Sequence, residues 1–231
     1  MRELIRWYRE SPPRLRLVFG AAAAGVVAAE KAVRRAPETF PPSDRRRVLV
    51  VCFGNICRSP VAARLLQERL DETRWEVVSA GTNASDGKPA SGMMRVAAAE
   101  YGIDLSAHRA RRVSADDIRN AELVIAMSQH QTERLLKLEP GSGRRIRLLG
   151  AFNPQANTWG LPADPYASPA SAMEIPDPRG EDLAFYRRCC KRLDVSVDQL
   201  ARWIVRRDAS RRMLPQRRPL SAPSIQAARF R

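Results

Sequence analysis

The sequence has 231 residues and a net charge of +15, and 44% of its residues are hydrophobic. A chain of this length can bury one good core and still leave segments outside it. Its four cysteines fall into two close pairs, Cys52 with Cys57 and Cys189 with Cys190. This usage implies no disulfide framework and suits the reducing cytoplasm.

Residues 1–46 are expected to form an N-terminal extension and linker rather than part of the core domain. Leu17 to Ala29 is an uncharged, alanine-rich run between positive charges. It is too short and too weakly apolar to span a bilayer, which takes about 20 residues. A signal peptide or a wrongly assigned start codon is an alternative. The favoured interpretation is a helix that lies on a partner, on the domain or on a membrane surface.

Arg47 to Pro60 combines an apolar run, a small polar loop and a helix start. The aliphatic run from Val48 to Val51 predicts a buried strand of a parallel sheet. Gly54 and Asn55 are the residue types that most easily adopt positive φ in a tight loop. Ser59 and Pro60 then read as the N-cap and first residue of a helix. A loop of amides between a strand and a helix N-terminus predicts an anion cradle.

Cys52 opens this loop, and Arg58 follows six positions later. A thiol beside loop amides, a helix dipole and a guanidinium is expected to be a thiolate at neutral pH, and therefore a nucleophile. The planar fork of an arginine suits two oxygens of a phosphoryl group. The pair predicts phosphoryl chemistry through a cysteine.

Strands alternate with helices in the following segment. The predicted elements are a strand over Trp75–Ala80, a helix over Ala90–Tyr101, a short helix from Ser114, a strand over Leu123–Met127, a helix over Gln129–Leu138 and a strand over Ile146–Leu149. This order predicts an α/β, three-layer fold: a four-stranded, mostly parallel sheet with helices on both faces. Ligands of such sheets bind at the carboxyl ends of the strands, where Cys52 falls.

The last third of the chain holds a long irregular stretch over residues 151–176 and a terminal helix predicted over Asp182–Arg206 with one apolar face. The core domain is therefore predicted over residues 47–207, followed by a basic disordered tail over residues 208–231. Residues 1–47 carry a net charge of +6 and residues 206–231 carry +7, against +2 for the segment between them. Basic ends favour contact with anionic surfaces, whereas no motif predicts specific nucleic-acid binding.

The loop from Cys52 to Pro60 resembles the phosphate-binding loop of the low-molecular-weight protein tyrosine phosphatases, whose pattern is Cys-x-Gly-Asn-x-Cys-Arg-Ser-Pro. The resemblance covers about residues 47–206. It includes Ser79–Thr82 after the second predicted strand, Ser106–His108, and Ile175–Pro178 before the terminal helix. It implies a metal-independent, cofactor-free phosphatase that acts through a phosphocysteine, with phosphotyrosine proteins as substrates. Bacterial members commonly act on tyrosine kinases of polysaccharide export.

The resemblance also implies roles for single residues. Cys52 is the nucleophile, Arg58 and the loop bind the phosphoryl group, and Asp177 is the general acid. The substrate-binding set is Phe53, Gly54, Asn55, Ile56, Cys57 and Ser59, and His108 is a supporting residue. Cys57 is either the partner of a protective disulfide with Cys52 or a small buried side chain. Asp164, in a second Asp-Pro pair, is the alternative acid; Asp177 is favoured because the terminal helix starts directly after it.

Three positions depart from the family pattern. Arg179 stands where many members have tyrosine, Ser85 lies near the position of an aromatic or large apolar wall, and Ser128 follows Met127 where aspartate is frequent. A less aromatic groove is expected, with Phe53 as its main wall and Arg179 favouring acidic phosphopeptides.

Other functions stay open at this point. A thioredoxin-coupled arsenate reductase needs two further relay cysteines, and Cys189 and Cys190 point about 100° apart on a helix. A protein arginine phosphatase of the same fold carries threonine where this chain has Ile56. A non-catalytic binding module that uses the basic ends is the alternative from another class.

Overall fold

The computed structural model describes residues 44–154 and 173–213, with side chains up to residue 210. The extension before residue 44, Asp164 with most of the long loop, and the tail beyond residue 213 lie outside the described residues. In chain order the helices and strands are β1 (Arg46–Cys52), α1 (Arg58–Arg69), β2 (Trp75–Gly81), α2 (Gly92–Ala99), α3 (Ala115–Asn120), β3 (Leu123–Ala126), α4 (Gln129–Leu138), β4 (Ile146–Leu148) and α5 (Leu183–Met213).

The strands form one sheet in the order β2-β1-β3-β4, and every neighbouring pair is parallel. Side chains of β1 alternate between the two faces, so Val48 and Val50 join one core cluster while Leu49 and Val51 join the other. Helices α1, α2 and α5 cover the first face, and α3 and α4 cover the second. The predicted fold class is confirmed.

The terminal helix buries the predicted apolar face, including Leu193, Val197 and Leu200. Its predicted end was wrong, because the helix continues past Arg206 to Met213. Asp208, expected in a disordered tail, is 6% exposed and forms ion pairs with Arg46 and Arg74. These contacts attach the last turns of α5 to the first residue of β1.

The start of α1 also differs from the prediction. The helix begins at Arg58 with Cys57 as its N-cap, and no side chain caps it. Ser59 was expected to be the cap, but its hydroxyl is bonded to Asn55 and to the sulfur of Cys52. By contrast, the short helix predicted from Ser114 is present as α3, and Ser114 caps it through a capping box with Asp117.

Candidate active site

The loop between β1 and α1 is held from outside by its carbonyl oxygens. The carbonyl of Cys52 accepts from the amide of Thr82 at 2.9 Å and that of Phe53 from Asn83 at 2.8 Å. The carbonyl of Ile56 accepts from the amide of Ser91 at 2.9 Å. In a trans peptide unit the C=O and the N–H point in opposite directions. With these carbonyls bonded outwards, the amides of residues 53, 54 and 57 point into the loop.

Asn55 allows the chain to close this turn. It has a positive φ of 52°, whereas Gly54, which was also expected to have one, does not. Asn55 is fully buried. Its Nδ2 donates to the hydroxyls of Ser59 (2.9 Å) and Ser79 (3.0 Å), and its Oδ1 accepts from the amide of Arg111 at 2.9 Å. One side chain therefore joins the loop, α1, β2 and the segment before α3.

His108 supports the same residue from the opposite side. Its Nε2 lies 2.7 Å from the carbonyl oxygen of Asn55, and since a carbonyl accepts, Nε2 must carry the proton. Burial lowers the pKa of His108 below its ordinary value. The structure places His108 behind the loop and outside the cavity, and its supporting role stays a prediction.

Cys52 lies at the centre of the loop and is 2% exposed. The amide of Asn55 donates to its sulfur at 3.2 Å, and the hydroxyl of Ser59 donates at 3.1 Å. Both donors stabilise a negatively charged sulfur more than a neutral one.

Arg58 connects the loop to the segment that precedes α5. One terminal nitrogen donates to the carbonyl of Ile175 at 2.9 Å, and the other forms an ion pair with Asp177. The Nε–H is buried and has no acceptor among the described residues. A buried guanidinium with an unused donor beside a ring of amides fits a further anion.

These groups meet in a cavity of about 170 Å³. It is lined by Cys52, Phe53, Gly54, Ile56, Cys57, Arg58, Asn83, Ser85, Lys88, Asp177 and Arg179. The structure thus brings together the predicted catalytic residues and most of the predicted substrate-binding residues. Asn55 and Ser59 lie behind the cavity, where they hold the loop.

Sequence reasoning missed several residues of this site. Asn83 and Lys88 line the cavity, and their position in the predicted loop after β2 was the available signal. Gly81 lies under the loop, where a Cβ would stand 2.7 Å from the carbonyl oxygen of Phe53 and 2.9 Å from the amide of Asn55. Such packing joins residues distant in sequence, so no local pattern reports it.

The other cysteines differ from Cys52 in their surroundings. Burial, followed by the nearby Cys52, raises the pKa of Cys57 to about 11. Burial also raises the pKa of Cys189, and it raises that of Cys190 to about 12. All four are free thiols. The three remaining cysteines are therefore protonated near neutral pH and suited to packing rather than to attack.

Within residues 44–154 and 173–213, no group of three or more His, Cys, Asp or Glu side chains could hold a metal ion. In the same part of the chain, no helix has the length and hydrophobicity needed to cross a bilayer.

Comparison with known proteins gives a consistent result. The family model for low molecular weight phosphotyrosine protein phosphatase matches residues 47–211. The chain is 40% identical over 119 residues to the low molecular weight protein-tyrosine-phosphatase Wzb of Escherichia coli K12, which covers 52% of this chain and 77% of that protein. It is 34% identical over 129 residues to the probable low molecular weight protein-tyrosine-phosphatase EpsP of Ralstonia nicotianae, and this match covers 56% of this chain and 84% of that protein.

Solved structures show the same relationship. The tyrosine phosphatase AmsI of Erwinia amylovora aligns with a TM-score of 0.58 and 25% identity, over 71% of this chain and 96% of that one. The arginine phosphatase YwlE of Geobacillus stearothermophilus aligns with a TM-score of 0.59 and 28% identity, also over 71% of this chain and 96% of that one.

Proposed function

Because this chain belongs to the low-molecular-weight phosphotyrosine protein phosphatase family, we propose that it hydrolyses phosphotyrosine in proteins through a phosphocysteine formed on Cys52. The observation that carries this proposal is the composition of the cavity floor. A buried thiol with two donors lies inside a ring of inward amides, next to a guanidinium with a buried unused donor. This arrangement binds a tetrahedral dianion and places a nucleophile behind its phosphorus.

In the first step the Cys52 thiolate attacks phosphorus while the bond from phosphorus to the phenolic oxygen breaks. The loop amides and Arg58 bind the three equatorial oxygens, whose charge rises in the transition state. Asp177, 44% exposed at the cavity wall, donates a proton to the departing phenolate.

In the second step Asp177 removes a proton from water as the water oxygen attacks phosphorus. The bond from phosphorus to sulfur breaks, and the Cys52 thiolate leaves with inorganic phosphate as product. Ser59 assists this step, since its hydroxyl donates to the sulfur and stabilises the returning negative charge.

The rim favours acidic substrates. Lys88 and Arg179 are exposed, line the cavity and form no ion pair with a described residue. Asp177 is the only carboxylate among the lining residues. We therefore expect acidic residues beside the phosphotyrosine to bind well, and the proposed substrate class is a phosphotyrosine protein such as a bacterial tyrosine kinase of polysaccharide export.

The test is hydrolysis of p-nitrophenyl phosphate and of a phosphotyrosine peptide without added metal. We expect Cys52→Ser to be inactive and Asp177→Ala to lose about a hundredfold or more in kcat, as is typical for loss of an acid catalyst. Asp164→Ala is the matched control and should retain normal activity. If Asp177→Ala is active and Asp164→Ala is impaired, the role of general acid belongs to Asp164 instead. A wild-type enzyme inert toward both substrates would refute the proposal.

Arginine dephosphorylation is the second candidate, supported by the structural similarity to the arginine phosphatase YwlE. Ile56 argues against it, because the arginine phosphatases resembled by this loop carry threonine at that position. Parallel assays with a phosphoarginine peptide decide between the two, and a higher kcat/KM for phosphoarginine would overturn the assignment to tyrosine.

A further inference from the structure

A second surface lies at the opposite edge of the sheet from the cavity. The amino ends of all four strands meet there, beside the C-terminal part of α5, around a groove of about 470 Å³. β1 has seven residues, so roughly 20 Å separates its first residue from Cys52 at about 3.3 Å per residue. We call this surface the amino-end face.

Arginine dominates the amino-end face. Six arginines line its groove, namely Arg46, Arg119, Arg144, Arg145, Arg147 and Arg207, whereas Glu122 is the only acidic residue among the lining residues. Part of this charge is neutralised, since Arg46 is paired with Glu122 and Asp208 and Arg119 with two carboxylates. Arg145 donates to three backbone carbonyls at the end of α3.

Three arginines remain available. Arg144, Arg147 and Arg207 are exposed and form no ion pair with any carboxylate of the described chain. Three exposed guanidiniums around one groove attract anions, in particular phosphate groups, which accept the paired hydrogen bonds of a guanidinium.

Two tryptophans lie between these charges. Trp203 is partly exposed, and the guanidinium of Arg207 lies 5.0 Å from the centroid of its ring. Trp75 is buried beneath Arg46, whose guanidinium is 4.0 Å from the ring centroid. Tryptophan beside basic residues is characteristic of surfaces that meet the headgroup region of a bilayer, because the indole has an apolar body and a polar N–H.

Both ends of the described chain leave from this face. Residue 44 directly precedes β1, and residue 213 ends α5 beyond Arg207. Residues 1–43 contain eight basic and four acidic residues, and residues 214–231 contain four basic and no acidic ones. The first of these segments also contains the uncharged run from Leu17 to Ala29. The two segments that carry the excess positive charge therefore connect to the described chain at residues 44 and 213, at the amino-end face.

We propose that the amino-end face docks on anionic phospholipid bilayers and leaves the catalytic cavity turned away from the membrane. The exposed guanidiniums bind headgroup phosphates, Trp203 lies at the interface, and the two basic segments add to the attraction. Lipid is favoured over nucleic acid because the partly exposed indole of Trp203 lies among exposed guanidiniums, and because an uncharged, largely aliphatic run precedes the face in the chain. This inference is independent of the catalytic proposal.

The test is co-sedimentation of the full chain with vesicles that contain phosphatidylglycerol, compared with vesicles of phosphatidylcholine alone. We expect binding to the anionic vesicles that falls with added salt. The variant R144Q/R147Q/R207Q should bind roughly a hundredfold more weakly, since each basic residue near an anionic surface contributes about fivefold. The matched control is R64Q/R95Q/R188Q, which removes the same charge from exposed positions elsewhere and should bind like wild type.

Two further measurements make the result decisive. All three proteins should hydrolyse p-nitrophenyl phosphate equally, and saturating vesicles should leave the wild-type rate unchanged because the cavity faces solution. Equal vesicle binding by the two variants would overturn the proposal, as would inhibition of the enzyme by bound vesicles. Binding to duplex DNA that the first variant loses, together with unchanged vesicle binding, would assign the face to nucleic acid instead.

Discussion

Replacing Asn55 is the sharpest test of how the catalytic loop is held. The residue has a left-handed backbone, and its side chain makes three hydrogen bonds to three other parts of the chain. Asn55→Gly removes the side chain but tolerates the backbone conformation, whereas Asn55→Ala removes the side chain and strains the backbone. The two variants therefore separate the contributions.

The magnitude follows from the partners left behind. The amide of Arg111 loses its acceptor, which costs about 1–2 kcal/mol for a partly buried donor, and the two serine hydroxyls together lose about 1 kcal/mol. We expect Asn55→Gly to lower the free energy of unfolding by about 2–3 kcal/mol. Asn55→Ala should cost up to about 1 kcal/mol more, because left-handed strain of about 1–2 kcal/mol is partly offset by the lower unfolded-state entropy of alanine.

Urea unfolding and steady-state kinetics with p-nitrophenyl phosphate measure both effects. Both variants should lose about a hundredfold in kcat/KM, because displacement of the loop by about 1 Å misplaces the sulfur and the amides. A free energy of unfolding within about 0.5 kcal/mol of wild type, together with normal kinetics, would show that the loop keeps its shape without Asn55 and would refute this reasoning.

Three other predictions concern residues around the loop and at the opposite end of the sheet. Gly81→Ala should lower kcat/KM at least about tenfold, because the new methyl group displaces the backbone of residues 53–55; kinetics equal to wild type would contradict it. Since burial lowers the pKa of His108, the unfolded state binds more protons, so stability falls as the pH drops below about 6.5. Unfolding at several pH values should show a smaller fall in stability for His108→Gln than for wild type; equal slopes for the two proteins would count against the assignment. Asp208→Ala should lower the free energy of unfolding by about 2 kcal/mol, since it removes two ion pairs of a buried carboxylate. An unchanged urea unfolding curve would mean that these ion pairs at the end of α5 do not contribute to the stability of the fold.

The parts of the fold that depend on local sequence were predictable. The aliphatic run of β1, the Ser114 capping box and the apolar face of α5 each follow from residues close together in the chain. The shared position of Cys52 and Arg58 in one loop was predictable for the same reason, because the strand, the turn and the helix that position them are consecutive.

The remainder depends on contacts between distant segments. The sequence predicted Ser59 as a helix cap. In the structure its hydroxyl instead donates to the sulfur of Cys52 and accepts from the side-chain amide of Asn55, and only the folded loop brings these groups together. The prediction that the disordered tail begins at Asp208 was wrong for a similar reason. The composition of the segment from Asp208 onwards predicts disorder, whereas Asp208 forms ion pairs with Arg46 and Arg74, which are distant in sequence. Gly81 lies in the Ser79–Thr82 segment that resembles the family, but no local pattern in that segment indicates that the loop packs against it.

The pairing of Arg58 with Asp177 has a consequence for the order of events in the cavity. The same guanidinium that is aimed at a phosphoryl group holds the carboxylate proposed as the acid. A dianion bound in the loop would compete with that carboxylate for the guanidinium. Asp177, once released from the ion pair, would be free to take up the proton that it donates to the oxygen of the leaving group. On the proposed mechanism, occupancy of the loop would therefore control the position of the acid, and departure of phosphate would return the carboxylate to Arg58.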